Sequence, residues 1–473
     1  MPVLSLRVDQ LADLAFYMAR KKCLQLAEPG VGKTPSVAVN QFARWQTSQM
    51  RTLWIQPKQL MAKNEREICR FTPFTSLDTA IIDGSPKKVK AALNSGAKVL
   101  LVGPDRFRMI ADQLPSDIRA VDTDEHHMCF GGPGSSRTLA FYDLARRMEE
   151  MVLMTGTLVN GRLDSAYSAI HAIEPLYYPM GYDQFLSEHA ILDDFGRPTS
   201  WHNHDRIRQI LAKHAIYRTF NSVYGNQEIV MEMDWVAMSD RQRVMYDKFE
   251  EDAYLELEDF MINGTLPGVA TIRARQIMEH PNLFPNLLEE GGPPVDICPG
   301  HRPAKLDALE IHFEDHIRTG TPLLTFAFFR PQQREIAALA RKMGLRVGMM
   351  TGETSGADRD RNDKAFVNGE LDLLVASYRV ASVGYNWQFS GDRQVNHVIN
   401  ASLGYLDSDV IQGFRRTVRG DRKGIPLRVT TMAYLNSLDT KNMAIIERKS
   451  RDANMVEPTR EILRFNTHEE VPT

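Results

Sequence analysis

Leu24-Gln25-Leu26-Ala27-Glu28-Pro29-Gly30-Val31-Gly32-Lys33-Thr34-Pro35-Ser36 is the stretch from which the fold can be read. A short apolar strand, Leu24–Leu26, runs into a glycine loop, and a helix is predicted to begin near Ser36. Strand, loop and helix stand in the order a phosphate-binding loop requires. Gly30 and Gly32 allow backbone amides, that of Val31 included, to approach phosphate oxygens. Lys33 neutralises charge on the terminal phosphates, and the Thr34 hydroxyl can ligate magnesium. Ala27 replaces the first glycine of the strict pattern. The plain alternative is a chance glycine-rich turn, which the matching flanks oppose.

Outward from this loop, short apolar runs alternate with longer helix-compatible stretches. The early runs are Cys23–Glu28, Thr52–Pro57, Thr79–Asp83, Lys98–Pro104 and Met151–Thr155. A later series comprises Pro322–Phe329, Leu345–Met350, Leu371–Ser377, Val395–Asn400 and Leu427–Tyr434, with a helix from Pro331 through Ala340. Such alternation predicts parallel sheets covered by helices, an α/β class. Between the two series the pattern is mainly helical, as over Arg241–Leu257, and Glu289–Pro299 reads as a connector or an ordinary loop. The expected organisation is a first lobe over 1–163, a mainly helical insertion and linker over 164–300, a second lobe over 301–444 and a tail over 445–473. No 20 to 50 residue repeat or low-complexity tract is present.

The 473 residues allow more than one domain, and a net charge of −3 excludes a globally basic coat while permitting a local basic cleft. Four cysteines, Cys23, Cys69, Cys129 and Cys298, form no CxxC pair, which argues against a zinc knuckle or a disulfide framework. Neither a signal peptide nor a membrane span is legible, so the expectation is a soluble protein of a reducing cytoplasm.

A phosphate loop needs downstream carboxylates, and Asp124-Glu125-His126-His127 is the candidate set. Asp124 would hold magnesium and Glu125 would orient and deprotonate the attacking water. Asp122 is a competing carboxylate, and Ile118–Val121 reads as a poor strand. An acidic surface turn and a histidine metal site are the alternatives.

Met154-Thr155-Gly156-Thr157-Leu158-Val159-Asn160 resembles the LTGTPxxN motif of the Swi/Snf-type translocases of helicase superfamily 2, with Leu158 where that family has proline. Superfamily 2 also tolerates Ala27 in the phosphate loop. Leu6-Arg7-Val8-Asp9-Gln10 resembles the family's LRxYQ entry, and Ile55-Gln56-Pro57-Lys58 its CPxxL segment. Met238–Gln242 with Tyr246, Arg273–Phe284 and Ala304-Lys305-Leu306 resemble its LSxxQxxxY, LRQICNHPxLF and SGKL elements. In the later series, Gly352 with Arg359 and Phe366 resembles a GxTxxxxR…F segment. Ser377–Asn386 resembles STRAGGLGIN, with Tyr378 for threonine and Ala381-Ser382 for the glycine pair. Gln412–Arg419 keeps a QxxxRxxR spacing, while Gly420-Asp421 departs from the family's ending.

The resemblance implies two RecA-like lobes that bind ATP with Mg2+ and hydrolyse it when stimulated by nucleic acid, in order to step along duplex or branched DNA. It places Gln10 at adenine, Gly384 at the nucleotide, and Gln412, Arg416 and Arg419 at the transferred phosphate. Lys58, Thr157, Ser377 and Arg379 are expected on the DNA backbone. A solvated basic helix end, Arg415 to Lys423, is the alternative for the arginines. A strand-separating helicase, a non-hydrolysing P-loop switch and a motor acting on a protein remain open. No accessory hairpin or aromatic pin is legible. For the basic, amphipathic tail Glu447–Arg464 the readings are a brace between the lobes, a dock for a protein partner, or a solvated helix, the last being the commoner outcome for such a stretch. The absence of reader modules suggests a compact bacterial or bacteriophage form acting in the cytoplasm.

Overall fold

A computed structural model describes residues 5–465 apart from 258–259, 264–266, 290, 383, 421, 423, 459 and 461. Val383, Asp421 and Lys423 of the motifs above therefore lie outside the described residues. The chain forms two compact units, residues 1–226 with 449–462 and residues 227–448 with 463–473.

The main sheet of the first unit has seven strands: β1 (Lys22–Ala27), β2 (Arg51–Ile55), β3 (Thr79–Ile82), β4 (Val99–Val102), β5 (Ile118–Thr123), β6 (Glu150–Thr155) and β7 (Ala215–Arg218). They pair in the order β3-β4-β2-β5-β6-β1-β7, parallel throughout. Alternate residues enter two separate cores. Leu24, Leu53, Leu100 and Leu153 pack on one side. Cys23, Trp54, Leu101 and Val152 pack on the other. This explains why the strands read as continuous apolar runs, since both faces are covered. Ile118–Val121, a poor strand by sequence, is part of β5. The central position between β2 and β6 overrides its weak pattern, with Ala120 and Val121 fully buried.

The second unit carries β8 (Ile229–Val236), β9 (Leu323–Phe326), β10 (Val347–Met350), β11 (Leu373–Ala376), β12 (His397–Asn400) and β13 (Leu427–Tyr434). Their order is β8-β13-β12-β9-β11-β10, again all parallel. The expected two-lobed α/β architecture is present.

The units divide the chain differently from the expected boundaries. The segment 164–300 is not a separate insertion, because Ala215–Arg218 joins the first sheet beside β1 and Ile229–Val236 joins the second beside β13. The helix expected over Arg241–Leu257 ends at Asp252. Ala253, at φ 52°, breaks it, and Tyr254–Leu257 is a strand. Gln242 closes the end of another helix by donating to the carbonyls of Ile277 and Met278. Tail residues 449–462 are packed in the first unit. Among the described residues, no helix is long and apolar enough to cross a membrane.

Candidate active site and nucleic-acid cleft

Parallel strands bring their carboxyl ends to one edge of a sheet, the edge where ligands bind in such folds. Here the glycine loop follows β1, Asp124 and Glu125 follow β5, and Gly156 follows β6. Gly30 and Gly32 adopt φ of 92° and 84°, a region that disfavours any side chain. The following helix spans Thr34–Ser48, starting two residues earlier than its sequence suggests, with Pro35 in its first turn.

Lys33 Nζ lies 3.2 Å from Glu125 Oε1, so the loop lysine and the candidate base meet across 92 residues of chain. Glu125 adopts φ 48° and ψ 54°, a left-handed conformation that costs a non-glycine residue about 1–3 kcal/mol. Strain of this kind concentrates where a side chain must be aimed. Asp124 is buried, and its oxygens accept from the Glu125 amide at 3.0 Å and from Asn64 Nδ2 at 3.1 Å. Burial holds its carboxyl above the usual carboxylate range, with Lys33 opposing that shift. A buried, acceptor-only oxygen pair of this kind suits a hard divalent cation, and Thr34 is half-buried at the start of the helix.

Asp122 does not compete for this role. It is fully buried inside β5, accepting from Arg44 Nη1 at 2.9 Å, Gln41 Nε2 at 2.9 Å and the Val152 amide at 3.1 Å. The two histidines are likewise engaged by the fold. His126 Nδ1 lies 3.1 Å from Thr123 Oγ1, and His127 Nδ1 lies 2.6 Å from Thr155 Oγ1. Burial pushes His126 down to about 3 and His127 down to about 4, so both rings are neutral near pH 7. His127 Nδ1 also stands 3.7 Å from Glu125 Oε2.

Gln10 holds the glycine loop from the side. Its amide donates to the Gly32 carbonyl at 3.0 Å and accepts from the Arg7 amide at 3.0 Å. Arg7 Nη2 donates to the Val31 carbonyl at 2.6 Å. Gly156 lets the β6 end approach the same loop, since a Cβ there would meet the Ala27 carbonyl at 3.1 Å and Pro29 Cδ at 3.3 Å.

In the second unit, the basic cluster is not a solvated helix end. The helix stops at Phe414, and Arg415, Arg416, Arg419 and Arg422 are all buried. Arg416 donates to the Ser382 carbonyl at 2.6 Å. Arg419 donates to Asn386 Oδ1 at 2.8 Å and to the Tyr385 carbonyl at 3.0 Å. The two arginines thus hold Ser382, Tyr385 and Asn386, and nearby Gly384 takes φ 70°. Gln412 is buried on the adjoining helix. Tyr378, which stands where the resembling motif has threonine, donates to Asn400 Oδ1 at 3.0 Å and stacks on Phe326.

A cleft of about 410 Å³ opens at the carboxyl ends of β2, β3 and β4. Lys58, Asp83 and Arg106 stand at its rim and Met128 and Cys129 line it. Lys58 is exposed and pairs with Asp83 at 2.7 Å. Ser377 is half-buried and Arg379 exposed at the short helix Tyr378–Ala381. Thr157, expected on the nucleic-acid backbone, is instead only 3% exposed, because its amide donates to Thr155 Oγ1 and turns the loop inward.

Sequence reasoning missed Asn64, Thr155, Glu457 and Arg460. Their partners are distant in sequence, and single polar residues carry no periodic signal.

No family model matches the chain. Over 291 residues, 56% of the chain, it is 25% identical to human chromodomain-helicase-DNA-binding protein 8. The Xenopus tropicalis protein of that name is 24% identical over 297 residues, 57% of the chain. The chain spans 11% and 13% of the length of these curated relatives. A solved structure, the Sulfolobus solfataricus SWI2/SNF2 ATPase core in complex with dsDNA, aligns over 98% of both chains at 17% identity with a TM-score of 0.43.

Proposed function

We propose that this chain, which resembles the Swi/Snf-type translocases of helicase superfamily 2, is a nucleic-acid-stimulated ATPase. In this reading it moves on duplex or branched DNA to remodel it or to displace bound proteins. The observation that carries the reading is the 3.2 Å approach of Lys33 to Glu125 at the sheet edge where the glycine loop and Asp124 also lie.

Phosphates seated on the Gly30–Thr34 amides draw Lys33 away from Glu125, which leaves that carboxylate to orient a water and accept its proton. Neutral His127 adds no competing charge beside it. Asp124 and the Thr34 hydroxyl would hold Mg2+, whose charge supplies Lewis-acid stabilisation at the phosphate oxygens. Gln10 fixes the loop through the Gly32 carbonyl. In this reading Arg416 and Arg419, aided by Gln412, stabilise charge on the transferred phosphate. Lys58, Ser377 and Arg379 engage the DNA backbone, so affinity falls steeply with salt and shows little sequence preference.

The test is steady-state ATP hydrolysis with single-stranded, duplex and forked DNA and with RNA, alongside Glu125→Gln. A rise with duplex or forked DNA that the variant loses is expected. No hydrolysis with any nucleic acid would overturn the reading in favour of a nucleotide-binding switch.

One observation favours strand separation as a second reading. Ala190–Leu192 and Pro198–Trp201 form an antiparallel hairpin whose turn carries Phe195, 83% exposed. An exposed aromatic on a hairpin can stack on an unpaired base.

A further inference from the structure

Residues far along the chain close on the loop that follows β6. Glu457 Oε1 accepts from the Val159 amide at 2.8 Å and its Oε2 from the Leu158 amide at 3.2 Å. Arg460 Nη1 donates to the Val159 carbonyl at 2.5 Å and to Glu457 Oε1 at 3.2 Å. Glu457 is 4% exposed, and Leu158 and Val159 are buried. All of these residues belong to the first unit.

The loop so held begins at Thr155. That residue's hydroxyl receives the Thr157 amide at 3.0 Å and bonds His127, the ring beside Glu125. Its next residue, Gly156, is in close approach to the phosphate loop. Rotation of the Leu158–Val159 peptides therefore moves both the ring that flanks the candidate base and the wall of the nucleotide loop. A carboxylate bridging two consecutive amides resists that rotation, and charge-assisted bonds of this kind are about twice as strong as neutral ones.

Leu158 is central to this arrangement. A proline at this position would fix φ within its ring and would have no N–H to donate. With leucine the backbone is free to turn, and an acceptor is needed for the extra amide.

We propose that Glu457, oriented by Arg460, is a positioning residue for ATP hydrolysis. It fixes the Thr155–Val159 loop, and through Thr155 and His127 it fixes the geometry of Glu125. This rests on the ATPase reading above.

The experiment measures kcat and KM for ATP, nucleotide affinity and melting temperature for the full chain, Glu457→Ala, Arg460→Ala, Leu158→Pro and the Leu158→Pro/Glu457→Ala pair. Glu457→Ala is expected to lower kcat by about tenfold, equivalent to one net hydrogen bond in the transition state. KM and nucleotide affinity change by less than kcat does. Arg460→Ala acts in the same direction more weakly. Leu158→Pro, which removes one amide and stiffens the loop, largely rescues the Glu457→Ala defect, so the two effects are non-additive.

An unchanged kcat in Glu457→Ala overturns the proposal. So does a kcat that falls only in step with melting temperature and nucleotide affinity, or a strictly additive pair. Should Leu158→Pro fail to fold, the separation of kcat from affinity in Glu457→Ala decides alone. A wild-type chain without hydrolysis overturns this proposal and the ATPase reading together, whereas an active wild type with an unaffected variant overturns this one only.

Discussion

Two aspartates two residues apart, Asp122 and Asp124, should respond to the same substitution in opposite ways. Asp122→Asn removes the charge that balances Arg44 inside the first sheet. An asparagine carbonyl can still accept from the Val152 amide, but its NH2 would face the Gln41 Nε2 and Arg44 Nη1 donors that now bond Oδ2, with no solvent to replace the lost acceptor. Breaking one side of a buried ion pair costs about 3–5 kcal/mol. For a unit of this size each kcal/mol shifts the melting temperature by about 2–4 °C, so Asp122→Asn should melt about 6–20 °C below wild type.

Asp124→Asn removes a charge that burial penalises. A carboxyl whose folded pKa is raised binds its proton more tightly when folded, so its stabilising contribution is present at low pH and is lost as pH rises through the folded value. Above that value the charged group is a liability, and Asp124→Asn should melt at or above the wild type while hydrolysis is lost. Calorimetry combined with an ATPase assay well below the melting range checks both. If Asp122→Asn melted with the wild type yet abolished hydrolysis, the assignment of the two carboxylates would be wrong.

Gly156→Ala drives a methyl against the Ala27 carbonyl and Pro29, and overpacking of about 1–3 kcal/mol should weaken nucleotide binding roughly tenfold or more in a fluorescent-nucleotide titration. Phe195→Ala should reduce strand displacement and leave duplex-stimulated hydrolysis intact if the hairpin separates strands, and an unchanged displacement rate would return the hairpin to surface decoration. In the second unit, His397 is bonded to His316 at 3.0 Å and to Thr430 at 2.8 Å. Burial pushes His397 down to about 2 and His316 below its usual range. His397 stays neutral when folded and protonates when unfolded. Stability should therefore be full above about pH 6.5 and fall below it by about 1.4 kcal/mol per pH unit for that ring, with His316 adding to the loss in the same direction. Urea titrations at pH 7 and pH 5 should show this, with a shallower loss in His397→Asn.

The glycine loop, ten of the sheet strands and the DEHH carboxylates were legible because each combines local pattern with local chemistry. The strands that escaped notice, Ala215–Arg218 and Ile229–Val236, are short or flank polar stretches, and only pairing with β1 and β13 makes them strands. Asp122 could not be told from Asp124 in sequence. The difference lies in Arg44 and Gln41, which approach it from a helix some 80 residues earlier. The arginine cluster left a solvated face open as the alternative, because burial of charge is decided by the carbonyls of Ser382 and Tyr385 rather than by the arginines' neighbours in the chain. That Glu457 of the tail meets the Leu158 and Val159 amides was not legible, since a single glutamate reports nothing about amides 298 and 299 residues away.

That separation also bears on how the molecule is made. At about 5–20 residues per second, roughly 15–60 s of synthesis pass between the emergence of Val159 and that of Glu457. During that interval the first sheet can collapse and its phosphate loop can form, but two buried amides beside it await their acceptor. The nascent chain thus carries its phosphate loop before it carries the carboxylate that sets the adjoining loop, so on the proposed ATPase reading full-rate turnover should follow the synthesis of Glu457.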